Sequence, residues 1–177
     1  GFAFAGKQLL NLKDEAGNSS GISIRIEDNW AATFNLGYIT GNNSGVFTDS
    51  VLKSGIVFDQ GTARRISFIG LDPSKKYNVA FIGSVNSGIT AAADYSATGV
   101  TTSSLNARYN QHQLAYLNEM TPGGPTNSIM VNVTKQFSSP VTYLNGIVLE
   151  EYTDTVAVMN PIHLFVEPKD KTGAVLT

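Results

Sequence analysis

The sequence contains no cysteine, only two histidines and few charged residues. Without cysteine the chain forms no disulfide bond and offers no thiolate ligand to a metal ion. Charged residues make up 15% of the sequence and the net charge is −2, so the basic surface that a nucleic-acid partner requires is missing. No apolar run reaches the length of a transmembrane helix, and we expect no membrane insertion.

The sequence also holds little of what catalysis needs. A Ser-His-Asp triad would depend on His112, which lies in the polar run 110–113, where a solvated side chain is the simpler interpretation. Glu150 and Glu151 are neighbours on a predicted strand and point to opposite faces, so they cannot flank one glycosidic bond. Carboxylate pairs distant in sequence stay open, but no pattern selects one. We therefore predict that the chain is not an enzyme.

The composition and the residue pattern of the sequence are typical of an all-β protein. Seventeen glycines among many Ser, Thr and Asn residues are typical of short strands joined by tight turns. Tyr77, Val79 and Phe81 alternate with other residues and share one face of a strand. Burying each such side chain stabilises the fold by roughly 1.5–3 kcal/mol, so we expect a one-residue slip to expose all three at high cost. No long segment has a helical period.

The order of the strands can be predicted along the chain. Segments 7–13 and 21–27 form the two arms of a hairpin, and a strand at 64–69 turns at 70–75 and returns at 77–83. Segment 51–55 is either a short helical turn or an irregular crossing. Further strands are predicted over 33–39, 56–58, 90–96, 101–109, 111–119, 128–134 and 141–151. Two stacked antiparallel layers would then bury the odd-numbered residues of 77–81 and 143–149 in one interior.

The length of 177 residues suits one domain and a fragment of another. We predict a β-sandwich domain over residues 1–152, a linker over 153–160, and the first strands of a following domain or an interdomain stub over 161–177. The apolar opening 1–5 has no basic segment before it and is not an intact signal peptide. We expect the chain to begin inside a longer precursor or after processing.

Several turn and strand motifs resemble one family. They are the segments 12–18, 21–23 and 46–52, Gly-Leu-Asp-Pro at 70–73, Phe-Ile-Gly-Ser at 81–84 and Tyr-Leu-Asn-Gly-Ile at 143–147. Together they resemble galactose-binding-like jelly-roll modules, which implies an antiparallel β-sandwich of the jelly-roll type. Relatives often carry an arginine soon after the Phe-x-Gly-Ser strand end, where this chain has Val85, Asn86 and Ser87. Segments 161–164 and 172–177 resemble the opening strands of a fibronectin type III domain.

Glycan binding needs exposed aromatic rings with a few polar side chains beside them. Trp30, the sole tryptophan, lies in the polar run 28–30, where it could be exposed or could close the end of the core. Tyr109 stands between Arg108 and Asn110 and is the better candidate for a hydrated ring. The predicted glycan-binding residues are Trp30, Tyr38, Asn43, Tyr95, Arg108, Tyr109 and Asn110.

Jelly-roll sugar-binding modules often hold a structural calcium ion, so the resemblance implies one here as well. Calcium prefers carboxylate and carbonyl oxygens. The predicted calcium ligands are Asp14 and Asp28 near the first hairpin and Glu150 on the last strand. The other interpretation is that all three are ordinary turn and edge residues.

The resemblance implies a non-catalytic, carbohydrate-binding-like accessory module of a secreted or cell-surface bacterial protein. Its partners would be a polysaccharide and the neighbouring domains of the same polypeptide. One alternative is a structural spacer or adhesin domain without a small ligand. A hydrolase remains the third interpretation.

Overall fold

The structure, a computed structural model, describes residues 4–39 and 47–152. Within these ranges the protein is all-β, with three antiparallel sheets and one short helix, α1 (Asp49–Lys53). No helix in this part of the chain is long and apolar enough to cross a lipid bilayer. The predicted linker at 153–160 and the strands predicted within 161–177 lie outside the described residues.

The largest sheet has six strands and forms one layer of the core. In spatial order they are β1 (Gln8–Leu9), β2 (Ser23–Ile26), β5 (Arg64–Ile69), β10 (Ile129–Lys135), β7 (Ala92–Ala97) and β8 (Ser103–Asn106). Alternation along these strands sends Ile24, Phe68, Tyr95 and Val131 into the interior. The pairing of β1 with β2 confirms the predicted first hairpin.

Two three-stranded sheets complete the fold. One contains, in order, β12 (Gly146–Tyr152), β6 (Lys76–Ile82) and β9 (Ala115–Met120). The other contains β11 (Thr142–Leu144), β4 (Gly55–Phe58) and β3 (Ala32–Phe34). The first of these faces the six-stranded sheet, because residues of β6, β9 and β12 join the same buried cluster as residues of β5, β7 and β10. The arrangement is sandwich-like.

The main core contains the side chains that alternation predicted. Tyr77, Val79 and Phe81 are all buried, and Ile147 and Leu149 lie opposite Phe81 and Val79 on the neighbouring strand. Phe81 also stacks on Tyr95 across the two layers, with ring centroids 4.6 Å apart. The predicted common interior of segments 77–81 and 143–149 is therefore confirmed for these residues.

Strand β6 is buried on both faces, which the sequence did not predict. Its even-numbered residues Ala80 and Ile82 pack with Phe47, Val51 and Leu52 in a second cluster. Helix α1 supplies two of those residues and so covers the outer face of the sheet. The outer face of β6 is therefore covered at these two positions rather than open to water.

The predicted return from β5 to β6 is also wrong as a hairpin. β5 pairs with β2 and β10, whereas β6 pairs with β9 and β12. The turn between them therefore carries the chain from one layer to the other. Gly70 makes this possible with a left-handed φ of 83°, and the Tyr77 hydroxyl accepts a hydrogen bond from the Asp72 backbone N–H at 2.9 Å.

The last predicted strand, 141–151, is divided in two at Asn145. β11 pairs with β4 in one sheet, and β12 pairs with β6 in another. Asn145 is buried at this break: its Oδ1 accepts from the Ser84 N–H at 2.7 Å, and its Nδ2 donates to the carbonyls of Leu52 and Ser54. One amide side chain therefore satisfies three backbone groups where the chain changes sheets.

We expect Asn145→Ala to destabilise the protein by about 3 kcal/mol, because three backbone partners of the amide would be left without their hydrogen bonds. Chemical denaturation followed by circular dichroism measures the change. Asn118→Ala, at an exposed asparagine of β9, is the control and should change stability by less than about 0.5 kcal/mol. Equal stability of the two variants would contradict the structural role of Asn145.

Candidate functional site

Two of the predicted glycan-binding aromatics are buried. Trp30 is only 2% exposed and packs edge-on against Phe58, with ring centroids 5.0 Å apart. Tyr95 is enclosed by the main core, and this burial raises the pKa of its hydroxyl above the ordinary value. Neither ring can offer a face to a sugar, so both predictions are wrong. Of the two positions considered for Trp30, the core position is the one that the structure shows.

Asn110 is also buried, and its side chain is fully used within the protein. Its Nδ2 donates to the carbonyls of Gly83 and Gln113, and its Oδ1 accepts from the backbone N–H groups of His112 and Gln113. An amide has no further hydrogen-bonding capacity for a sugar hydroxyl. The predicted binding role of Asn110 is therefore wrong, and Asn43 lies outside the described residues.

The structure brings the remaining three predicted residues together. The rings of Tyr38 and Tyr109 meet edge to face, with centroids 6.5 Å apart and an interplanar angle of 89°. The Arg108 guanidinium lies over the Tyr109 ring, 5.8 Å from its centroid. Tyr109 is 49% exposed and Arg108 is exposed as well, so this ring and its cation are open to solvent, whereas Tyr38 is partly buried.

Backbone hydrogen bonds hold the two tyrosines in place through the segment after β6. The Asn86 N–H donates to the Leu36 carbonyl at 3.0 Å, and the Tyr109 N–H donates to the Val85 carbonyl at 2.9 Å. The segment 84–86 thus lies between the segment that carries Tyr38 and the segment that carries Tyr109. Its position follows from β6, because residues 83–85 continue directly from that buried strand.

A buried serine completes this support. The Ser84 hydroxyl donates to the Asn110 carbonyl at 2.7 Å and accepts from the Tyr38 N–H at 3.1 Å. Gly37 fixes the same segment from the other side, since its N–H donates to the Lys53 carbonyl and a Cβ there would lie 1.6 Å from the Leu52 carbonyl oxygen. The backbone under Tyr38 is therefore rigidly held.

Three exposed aliphatic residues lie close in sequence to the two tyrosines and the segment that supports them. Leu36, Ile39 and Ile89 are 68%, 55% and 49% exposed and lie on the same segments, and a Cβ at Gly88 would be 3.6 Å from the Tyr109 hydroxyl. Aliphatic side chains are usually assigned to a core, so their exposure gave no sequence signal. We define the tyrosine platform as the surface of Leu36, Tyr38, Ile39, Ile89, Arg108 and Tyr109.

Tyr109 also has an unusual backbone. Its φ is +49°, in the left-handed region that non-glycine residues other than Asn and Asp rarely occupy. Residues held in such conformations cost of order 1–3 kcal/mol and tend to lie at functional sites. Here the strained residue is also the one that presents the exposed ring.

The three predicted calcium ligands serve other contacts or lie apart. Asp14 accepts hydrogen bonds from the Asn18 N–H and Nδ2 within the first hairpin turn. Asp28 binds the Arg65 guanidinium through both oxygens, at 2.8 and 2.9 Å. Glu150 lies on β12 beside Asn78. Among residues 4–39 and 47–152, no group of three or more His, Asp or Glu side chains is placed to hold a metal ion.

The spacing Gly-x-Ser-x-Gly, which marks the nucleophile of α/β hydrolases, occurs at residues 17–21. That motif works on a sharp turn from a strand into a helix. Here it lies at the tip of the first hairpin and leads into β2, and the Ser19 hydroxyl accepts hydrogen bonds from Asn11 and Lys13. The structural context of a nucleophile is absent from this turn.

No protein-family model, no curated protein and no solved structure matches the chain. The geometry of the tyrosine platform therefore carries the functional inference.

We expect Trp30→Ala to cost about 3–5 kcal/mol of stability, because it would leave a large cavity in the main core. Trp30→Phe should cost much less, about 1–2 kcal/mol, because the indole N–H has no hydrogen-bond partner among residues 4–39 and 47–152. Thermal unfolding of both variants followed by circular dichroism distinguishes them. A fully stable Trp30→Ala protein would contradict the core position.

The Asp28–Arg65 pair predicts a pH dependence. The hydrogen bonds from Arg65 hold the pKa of the Asp28 carboxyl below its ordinary value of 3.8. A lowered folded-state pKa contributes stability that is complete well above pH 3.8 and is lost as the pH falls through the native pKa. Asp28→Asn should therefore be less stable than the wild type at pH 7, with the difference shrinking below about pH 4. Urea titrations at several pH values measure this difference in stability, and Asp59→Asn, at an exposed carboxylate, is the control. A difference in stability that does not change with pH would contradict the prediction.

Proposed function

We propose that the chain is a non-catalytic glycan-binding module and that the tyrosine platform is its binding surface. The observation that carries the proposal is the half-exposed Tyr109 ring, held against Tyr38 and beneath Arg108 on a strained backbone. An aromatic ring of this kind offers a flat apolar face to the C–H side of a sugar ring. The support beneath it is rigid, which keeps the entropic cost of binding low.

The chemistry of the platform suits a sugar in two further ways. The two tyrosine rings are nearly perpendicular, so together they form an apolar corner rather than a flat wall. The Arg108 guanidinium and the tyrosine hydroxyls supply hydrogen-bonding groups at its margin. Sugar recognition combines these two elements, an apolar contact and a few directed polar groups.

The proposal extends to the fold and its context. We infer that the sandwich-like core is a galactose-binding-like jelly roll and that the module serves a secreted or cell-surface bacterial protein. What supports this is the resemblance carried by the Gly70, Ser84 and Asn145 motifs, together with the antiparallel sheets. A neighbouring domain of the same polypeptide would be the part that acts on, or attaches to, the bound glycan.

A structural spacer or adhesin domain is the second candidate. Leu36 and Ile39 favour it, because exposed aliphatic side chains are typical of protein–protein contacts. In that case the platform would contact a neighbouring domain and bind no carbohydrate.

A glycan array and pull-down on insoluble polysaccharides test the proposed function. We expect Tyr109→Ala to weaken binding at least about tenfold, because the main stacking ring is removed. Tyr109→Phe should retain most of the affinity, since the ring remains.

Tyr116→Ala is the matched control, because Tyr116 is 50% exposed and lies on β9, outside the platform. It should bind like the wild type. Binding that depends on Tyr116 would place the site elsewhere, and absence of binding to every glycan would favour the spacer. Turnover of ester or glycoside substrates by the isolated chain would instead support a hydrolase.

A further inference from the structure

The tyrosine platform is free of negative charge in a chain that is acidic overall. The sequence has 14 acidic and 12 basic residues, yet segments 31–39, 84–91 and 105–113, which carry the platform and its support, contain no Asp or Glu. Arg108 is the charged residue that they do contain. The platform therefore offers an anion a cation without a competing carboxylate on the same segments.

Arg108 differs from the four cations that form ion pairs with acidic residues. The ion pairs between described residues join Arg25 to Glu27, Arg65 to Asp28, Lys75 to Glu151 and Lys76 to Glu119. The Arg108 guanidinium has no carboxylate among its contacts in that part of the chain; it lies over the Tyr109 ring and is exposed. Its hydrogen-bonding capacity is thus available to a ligand.

We propose that the tyrosine platform selects acidic sugars, and specifically glycans whose units carry a carboxylate, such as uronic acids. This inference rests on the proposed glycan-binding function. A sugar ring stacked on Tyr109 would place its carboxylate within reach of the adjacent guanidinium. The planar guanidinium matches the two oxygens of a carboxylate and binds them through parallel hydrogen bonds.

Two physical effects favour this selection over a neutral sugar. The contact with the Tyr109 ring restrains the Arg108 side chain, so less conformational entropy is lost when the carboxylate binds. The net charge of −2 gives the surface no general attraction for a polyanion, so binding of an acidic glycan depends on the local cation of the platform. A neutral glycan gains the stacking contact and ordinary hydrogen bonds but no contact between opposite charges.

The test uses galacturonan as free acid and as full methyl ester, two polymers with the same backbone and different charge, within an array of neutral and uronate-containing glycans. We expect the wild type to favour uronate-containing glycans. Arg108→Gln should lower affinity for them about fivefold, the modest effect of an exposed charge contact. It should lower affinity for neutral glycans less than for the acid form, because the glutamine amide still donates hydrogen bonds but carries no charge. Raising the salt concentration should reduce wild-type affinity for the acid form and have little effect on the variant.

Lys7→Gln is the matched control, since it removes an exposed positive charge beside β1, at the opposite edge of the six-stranded sheet from β8 and Arg108. It should bind like the wild type. Equal affinity for acid and neutral glycans, or an Arg108→Gln variant that keeps the preference, would overturn the selectivity while Tyr109-dependent binding still supports the proposed function. Absence of binding to every glycan on the array would overturn both.

Discussion

The buried hydrogen bonds of Asn145, Ser84 and Asn110 are the constraint on which the rest of the structure depends. Asn145 satisfies the backbone where the last strands change sheets, and its Oδ1 accepts from the Ser84 N–H. The Ser84 hydroxyl then reaches the Asn110 carbonyl and the Tyr38 N–H. A continuous polar chain thus runs from the junction of two sheets to the backbone under the platform. Because buried polar networks are costly unless complete, this chain specifies the position of the tyrosines as well as the fold.

The elements themselves were largely predictable from the sequence, and their partners were not. The alternation of Tyr77, Val79 and Phe81 indicates a strand with one buried face. The turn of the first hairpin is short, so it predicts the strand on each side of it. Periodicity says nothing about which distant strand lies alongside. The turn after β5 therefore looked like a hairpin, although it crosses between layers. Likewise, the residues on both sides of Asn145 are suitable for one continuous strand, so the break at Asn145 could not be predicted from them.

The candidate site was only partly predictable, because neighbours in the sequence do not determine which side chains are buried. Tyr109 was recognised from its immediate neighbours, and the structure sets it beside Tyr38 and Arg108. The polar neighbours of Trp30 do not predict its burial: the Ala31 N–H donates to the Val57 carbonyl, and the indole packs against Phe58. Burial of an aromatic side chain depends on such tertiary pairings rather than on the adjacent residues. The exposure of Leu36 and Ile39 could not be predicted, because nothing local distinguishes an exposed aliphatic residue from a buried one.

The enclosed position of Trp30 has a practical consequence. It is the only tryptophan in the chain, and its indole is shielded from water by the main core. Its fluorescence therefore reports whether the core is intact, while the aromatic rings that an occupant of the platform would contact are tyrosines. Ligand occupancy and folding can thus be followed as separate optical signals in one sample. A variant that loses binding with an unaltered indole emission has lost its contacts with the ligand rather than its fold.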